Sequence, residues 1–371
     1  MKVPLLDLKE QNQLLRPEIE AALGRVLDTN GFILGAEVAA LETELADYCG
    51  TKYAIGCASG TDALLLALMA FDVGYDDEVI TTPYSFFAST SSITRLGAMP
   101  IFVDIDPQTY NLNVGQVEER VTDKTKAIMP VHLYGQCAEM EKLREISRKY
   151  GIPLIEDAAQ AIGAEEFGKR AGAMSEIGCF SFYPSKNLGG MGDGGFMTTD
   201  DERLARKLFA LRVHGSEERY YHKWVGLNSR LDGFQGAILR VKLPHLDSWS
   251  NRRQENAEFY RQLFTDAGLT EQITLPFERE NVRHIYNQFV IRVPERRDEL
   301  RAFLTESGIG TDVYYPVSLH LQECFEYLGY RKGDYPESEK ASLETLALPI
   351  YPELKREQIS YVVKTIADFF A

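Results

Sequence analysis

The sequence has no excess of basic charge: 40 lysines and arginines stand against 55 aspartates and glutamates, a net charge of −15. That balance argues against a nucleic acid or an anionic membrane as partner, but not against a small phosphate-bearing ligand, which senses only local donors. Cysteine is scarce. Cys49, Cys57, Cys137, Cys179 and Cys324 are scattered, with no CxxC pair and no histidine at metal-ligand spacing. Neither a metal centre nor a disulfide framework is indicated, and reduced thiols in a cytoplasmic protein fit best. A long uncharged apolar span is also missing, and the opening MKVPLLDLKEQ carries charge too early for a secretory leader. There are no internal repeats, low-complexity runs or long linkers. What is there is a 371-residue chain, 44% hydrophobic and 26% charged, enough for a large domain with a smaller companion.

The densest chemical signal is IGCFSFYPSKNLGGMGDGG, residues 177–195. Ile177 to Tyr183 is apolar and reads as a short buried strand, ended by Pro184. Lys186 follows, and then a loop with Gly189, Gly190, Gly192, Gly194 and Gly195. Glycine at this density is expected to supply positive φ and close approach of backbone to a ligand. A lysine carried from a buried strand end into such a loop loses hydration, and the neutral amine is the form that carbonyl chemistry uses. On this stretch alone, a surface lysine in a flexible hairpin is an equal reading.

Residues 152–164, IPLIEDAAQAIGA, shift the balance. They read as a buried strand that ends at Glu156 and Asp157 and runs into a small-residue helix start. Carboxylates at the carboxyl end of a parallel strand lie where α/β sheets hold ligands, although many only cap the next helix. A strand-end aspartate, then Gln160, then a strand-borne lysine about thirty residues on is the layout of fold-type I pyridoxal phosphate (PLP) enzymes.

EDAAQAIGA followed by GCFSFYPSKNLGGMGDGG resembles the DegT/DnrJ/EryC1/StrS family of sugar aminotransferases, and the likeness runs from PLLDLKEQ to LALPIYPELKREQI. The resemblance implies that Lys186 carries PLP as a Schiff base and that Asp157 meets the pyridinium nitrogen. Through SGTDAL it implies Gly60 and Thr61 at the cofactor phosphate, with Ser181 and with Asn228 of GLNSRLD reaching over from a partner subunit. PYSFFAST implies that Phe86 stacks on the pyridine face, and Gln160 is expected on the ring hydroxyl. Tyr315, His320 and Arg230 are assigned to the substrate. Plainer roles stand beside these: Ser59, Thr61 and Asp62 as helix caps, the aromatics as core, and His320 as a structural histidine.

The activity so implied is a PLP-dependent transamination by a homodimer with shared sites. Glutamate is the donor, becoming 2-oxoglutarate, and the acceptor is a nucleotide-linked keto sugar. NSRLDGFQGAILRVKL and the preceding HGSEERYYHKWVG resemble the branch that aminates C3. A C4 aminotransferase, a keto-cyclitol aminotransferase and a retired fold kept for regulation or interaction are the alternatives. Members of a dehydrating branch have histidine in place of the lysine, and here Lys186 is present.

In chain order, residues 1–13 read as an arm, 14–245 as a large PLP-binding domain and 246–371 as a small C-terminal α+β domain. Strands Tyr53–Ala58, Glu78–Thr82, Pro100–Val103 and Lys126–His132 alternate with helices that begin with Arg16–Leu27. This order predicts an α/β fold with a mainly parallel central sheet flanked by helices. Beyond it, a helix is expected over Trp249–Phe264, strands over Asn287–Val293 and Gly310–Tyr315, and helices over Arg297–Gly308, Ser338–Thr345 and Lys355–Phe370.

Overall fold

Seven short apolar strands carry the larger part of the chain in the computed structural model, which describes residues 1–371. They are β1 (Tyr53–Cys57), β2 (Glu78–Thr81), β3 (Met99–Phe102), β4 (Thr125–Ile128), β5 (Ile155–Asp157), β6 (Ile177–Ser181) and β7 (Gly195–Thr199). A four-stranded part has the order β1-β7-β6-β5, and a three-stranded part has the order β3-β2-β4. Parallel bridges from Ile128 to Leu154 and from Val131 to Asp157 join them into one sheet. Only β7 runs antiparallel to its neighbours β1 and β6.

Because strand side chains alternate, the sheet feeds two cores. One face gives Phe180, Phe182 and Phe196 to a core with α2 (Ala36–Cys49), α5 (Met140–Tyr150) and α7 (Gly233–Lys242). The other gives Ile55, Ile155, Cys179 and Met197 to a core with α3 (Gly60–Ala70) and α6 (Glu202–Leu211). Four of the cysteines are buried and Cys324 is exposed. No helix is long and apolar enough to cross a membrane.

The first helix, α1 (Lys9–Thr29), begins earlier than Arg16, so residues 9–13 are helix rather than arm. The reason lies in a buried stripe, Gln11, Leu15, Ile19, Ala22 and Val26, that extends one turn ahead of Pro17. Asp7 Oδ1 accepts the Lys9 N–H at 2.9 Å and starts the helix. Before it, Val3 bridges Ile309 and is buried in the C-terminal core.

That second core gathers Tyr260 and Phe264 of α8 (Leu246–Asp266), Leu300 of α9 (Arg297–Glu306) and Val362 of α11 (Arg356–Phe370). It covers a two-stranded sheet of β8 (Phe289–Arg292) against β9 (Thr345–Leu348), antiparallel, with Phe289 opposite Leu348. Residues 310–315 do not form the expected strand; Asp312 makes a single bridge to Ala347. The partner of β8 is instead TLAL, a four-residue apolar run directly after α10 (Pro336–Glu344), too short for its period to separate it from helix.

Candidate active site

Asp157 ends β5, and Glu156 beside it points to the opposite face of the strand. The two carboxylates therefore have different surroundings. Glu156 is fully buried and accepts four hydrogen bonds: His132 Nε2 (2.9 Å), Gly172 N (2.7 Å), Met174 N (2.9 Å) and Ser175 Oγ (2.9 Å). Since His132 Nδ1 accepts from Ala138 N at 3.0 Å, the ring proton sits on Nε2 and the imidazole is donated to Glu156. Every lone pair of Glu156 is engaged, which leaves it nothing for a ligand.

Asp157 is less saturated. Oδ2 accepts from Ser89 Oγ at 2.7 Å, and Oδ1 has only a long contact of 3.3 Å from Ala159 N. Burial pushes its carboxyl upward, countered by the Ser89 hydroxyl, the Ala159 N–H and the positive charge of Lys186. Lys186 follows β6 in a turn whose N–H bonds Tyr183 O at 2.8 Å. Burial lowers its ammonium to about 8, and Asp157 is the one charge that opposes this.

The glycine loop works by close approach, not by the positive φ expected of it. None of Gly189, Gly190, Gly192, Gly194 and Gly195 has positive φ. A Cβ on Gly195 would lie 2.6 Å from the Ser59 carbonyl, and one on Gly189 would lie 2.3 Å from Pro184 O. The loop is anchored from beneath by the buried Lys242, whose Nζ donates to Gly189 O.

Across from the lysine, Ser59 caps α3 by accepting the Asp62 N–H at 3.1 Å, so the plain capping role holds for Ser59. The N–H groups of Gly60 and Thr61 at this helix start have no backbone acceptor. Gly60 faces Ser181 so closely that a Cβ would sit 2.7 Å from the serine Cβ. A free helix N-terminus with a hydroxyl beside it is suited to an anion.

Phe86 caps α4 (Phe87–Thr94) with its ring 55% exposed, and so is not core. Its centroid is 6.2 Å from that of Tyr315. Gln160 is buried and uses both ends of its amide: Oε1 accepts from Tyr134 N at 2.8 Å and Nε2 donates to Tyr315 Oη at 2.9 Å. Burial pushes the Tyr315 phenol far up, so it stays protonated.

Asn228 is exposed and Arg230 half-buried; both line an open hollow with Asp193, Asp232 and Gln235. His320 is elsewhere. Its ring is 99% buried between Phe102 and Tyr335 and pairs through Nε2 with Glu339 at 3.0 Å. The structure thus joins Asp157, Lys186, Gly60, Ser181, Phe86, Gln160 and Tyr315 around one site, sets Asn228 and Arg230 on a neighbouring surface, and gives His320 a packing role. Ser89, Tyr134 and His132 are the additions that sequence reasoning did not name. Ser85 precedes the helix cap, so no helical spacing ties it to Ser89, and only the fold brings the two hydroxyls together.

The donor set fits PLP: an unpaired helix start with a hydroxyl for the phosphate, an underused buried carboxylate for the ring nitrogen, a partly deprotonated lysine for the aldehyde and an exposed aromatic ring for the flat face. The chain belongs to the DegT/DnrJ/EryC1/StrS aminotransferase family, whose model matches residues 13–367. It is a PLP-dependent aminotransferase of fold type I.

Among relatives, a pleiotropic regulatory protein of Geobacillus stearothermophilus is 52% identical over 370 residues, covering 100% of this chain and 99% of the relative. A UDP-N-acetyl-3-dehydro-alpha-D-glucosamine 3-aminotransferase of Acidithiobacillus ferrooxidans is 42% identical, covering 98% of this chain and 97% of the relative. The crystal structure of Streptomyces venezuelae DesV in complex with a ketimine intermediate superposes with a TM-score of 0.96 at 42% identity, covering 99% of this chain and 98% of the other.

Proposed function

We propose that this chain moves an amino group from glutamate to the C3 ketone of a nucleotide-linked sugar, as a cytoplasmic homodimer. The observation that carries the reading is the Lys186–Asp157 pair: one desolvated amine and one carboxylate whose Oδ1 has only a long contact, at the carboxyl ends of strands in an α/β sheet. When bound, PLP supplies an electron-accepting ring, and the residues do the rest. Gly60 N–H, Thr61 and Ser181 Oγ would hold its phosphate. Asp157 Oδ1 would accept the ring N–H and keep that nitrogen protonated. Phe86 would cover one face, excluding water and contributing modest stacking energy. Gln160, held by the Tyr134 N–H and bonded to Tyr315 Oη, would lie toward the ring hydroxyl, with Tyr315 toward the sugar. Lys186 Nζ, whose ammonium burial lowers to about 8, would take up and return the proton at the amine-bearing carbon.

The shared site rests on Asn228 of the partner subunit, which would complete the phosphate contacts, with Arg230 beside it toward the sugar. Their exposure on an open hollow supports that role. Support for C3 comes from the Acidithiobacillus relative, which acts on a 3-dehydro sugar and matches almost the whole chain. The Geobacillus relative's name favours a second reading, a regulator. A retired fold has no need for the amine and carboxylate, and both are kept here.

The test runs the reaction backwards. Purified dimer with PLP is offered 3-amino or 4-amino nucleotide sugars or an amino-cyclitol, each with 2-oxoglutarate, and glutamate is measured. Glutamate from the 3-amino sugars is expected. Glutamate from another donor alone overturns C3, and none from any, in a protein without cofactor absorbance, favours the regulator.

A further inference from the structure

Ser89 lies on α4, one turn behind the exposed ring of Phe86, and is itself 1% exposed. Its Oγ is 2.7 Å from Asp157 Oδ2 and 2.9 Å from Ser85 Oγ, and Ser85 is 3% exposed. A hydroxyl has one proton. Against an ionised carboxylate, Ser89 must give that proton to Asp157, so Ser85 must give its own to Ser89. The direction is therefore fixed: Ser85 donates to Ser89, and Ser89 donates to Asp157.

Two consequences follow. First, Oδ2 is occupied from the helix side, so the oxygen left for a ligand is Oδ1, and the carboxylate plane is set by α4. Second, the buried carboxylate needs donors to stay charged, and the Ser89 hydroxyl is the strongest one it has. The titratable groups facing Asp157 are Lys186, on the loop after β6, the His132 ring, on the segment after β4, Cys179 of β6 and the Tyr315 phenol, the last two held protonated by burial. His132 is already donated to Glu156, which leaves Ser89 as the side-chain donor in contact with Asp157.

We propose that Ser89, oriented by Ser85, is a positioning residue that holds Asp157 ionised and turns its Oδ1 to the ring nitrogen of the cofactor. The proposal rests on the cofactor reading above and extends it to two side chains that touch neither cofactor nor substrate. Their effect should show only where there is a ring nitrogen to meet.

That condition gives the test. Apo protein is prepared as the parent chain and as Ser89→Ala and Ser85→Ala, and each is titrated with PLP and with deazapyridoxal phosphate, which has carbon in place of the ring nitrogen. Loss of a hydrogen bond to a charged group corresponds to roughly ten- to hundredfold in an equilibrium constant. Ser89→Ala should weaken PLP binding by about that factor while leaving the deaza analogue within about threefold of the parent. Ser85→Ala, which keeps the direct donor, should shift PLP in the same direction by less. The acid limb of kcat/KM for Ser89→Ala should move to higher pH, because Asp157 then protonates sooner.

Equal weakening of both cofactors would mark Ser89 as a packing residue and overturn the proposal, as would no change for either. If Ser89→Ala does not fold, the same comparison in Ser85→Ala decides it. A parent chain that binds neither cofactor would strike the cofactor reading itself, a separate outcome.

Discussion

Replacing Glu156 by glutamine separates the two neighbouring carboxylates. The side chain keeps its shape, but one oxygen becomes an NH2 donor. If the amide nitrogen takes the Oε2 position, it meets the His132 Nε2–H and the Gly172 N–H, and neither can turn away. If it takes the Oε1 position, it meets Met174 N and Ser175 Oγ. Ser175 can retreat to the Ile177 carbonyl, which it already contacts at 2.9 Å, so this orientation orphans one backbone donor instead of two. An orphaned buried donor costs about 1–3 kcal/mol, and the remaining bonds lose the strengthening that a charged acceptor gave them. The expected destabilisation is about 2–4 kcal/mol, a large share of a typical folding free energy. In a thermal or urea unfolding series, Glu156→Gln should melt several degrees below the parent. Below that transition it should still bind PLP and turn over within about tenfold, because Glu156 faces away from the lysine. Asp157→Asn should do the reverse: little loss of stability, and turnover reduced by orders of magnitude. A stable Glu156→Gln protein with turnover lost would refute the assignment and make Glu156 the group that meets the cofactor.

The remaining predictions concern the lysine and the subunit boundary. Borohydride reduction of the PLP-loaded chain followed by peptide mapping should place the label on Lys186, and Lys186→Ala should carry none; a label on the buried Lys242, whose ammonium is also lowered to about 8, would move the site. In the apo chain, acylation of Lys186 followed by peptide mass spectrometry should rise with a midpoint near pH 8, because only the neutral amine reacts, instead of near 10.5. Asp157→Asn should move that midpoint lower, since it removes the charge that retains the proton; a midpoint unchanged or raised contradicts the coupling. Mixing Lys186→Ala chains with Asn228→Ala chains should restore part of the activity that each lacks, and no rescue after verified subunit exchange would return Asn228 to its own chain's site.

Short-range order did much in this chain. The alternation of apolar strands with helices was enough for a mainly parallel sheet, because a buried strand and an amphipathic helix have periods that neighbouring residues reveal. The order strand, Asp157, Gln160, strand, Lys186 marked the candidate site, since a strand's carboxyl end is also its ligand end in such sheets. The C-terminal part was less legible. Residues 345–348 are too few to display a period, and pairing with Phe289–Arg292, far away in sequence, is what makes them a strand.

The site itself divided along the same line. Sequence alone picked out two adjacent carboxylates but could not tell their surroundings apart; the tertiary structure separates them, closing four donors around Glu156 and leaving Asp157 Oδ1 with only a long contact from Ala159 N. It also decided that His320 packs against Tyr335 and Glu339, and that the loop glycines serve close approach. Residue order fixes which side chain leaves which face of a strand. Which donors, walls and charges stand opposite is set by segments far apart in the chain, and those meet only when the sheet and its helices pack.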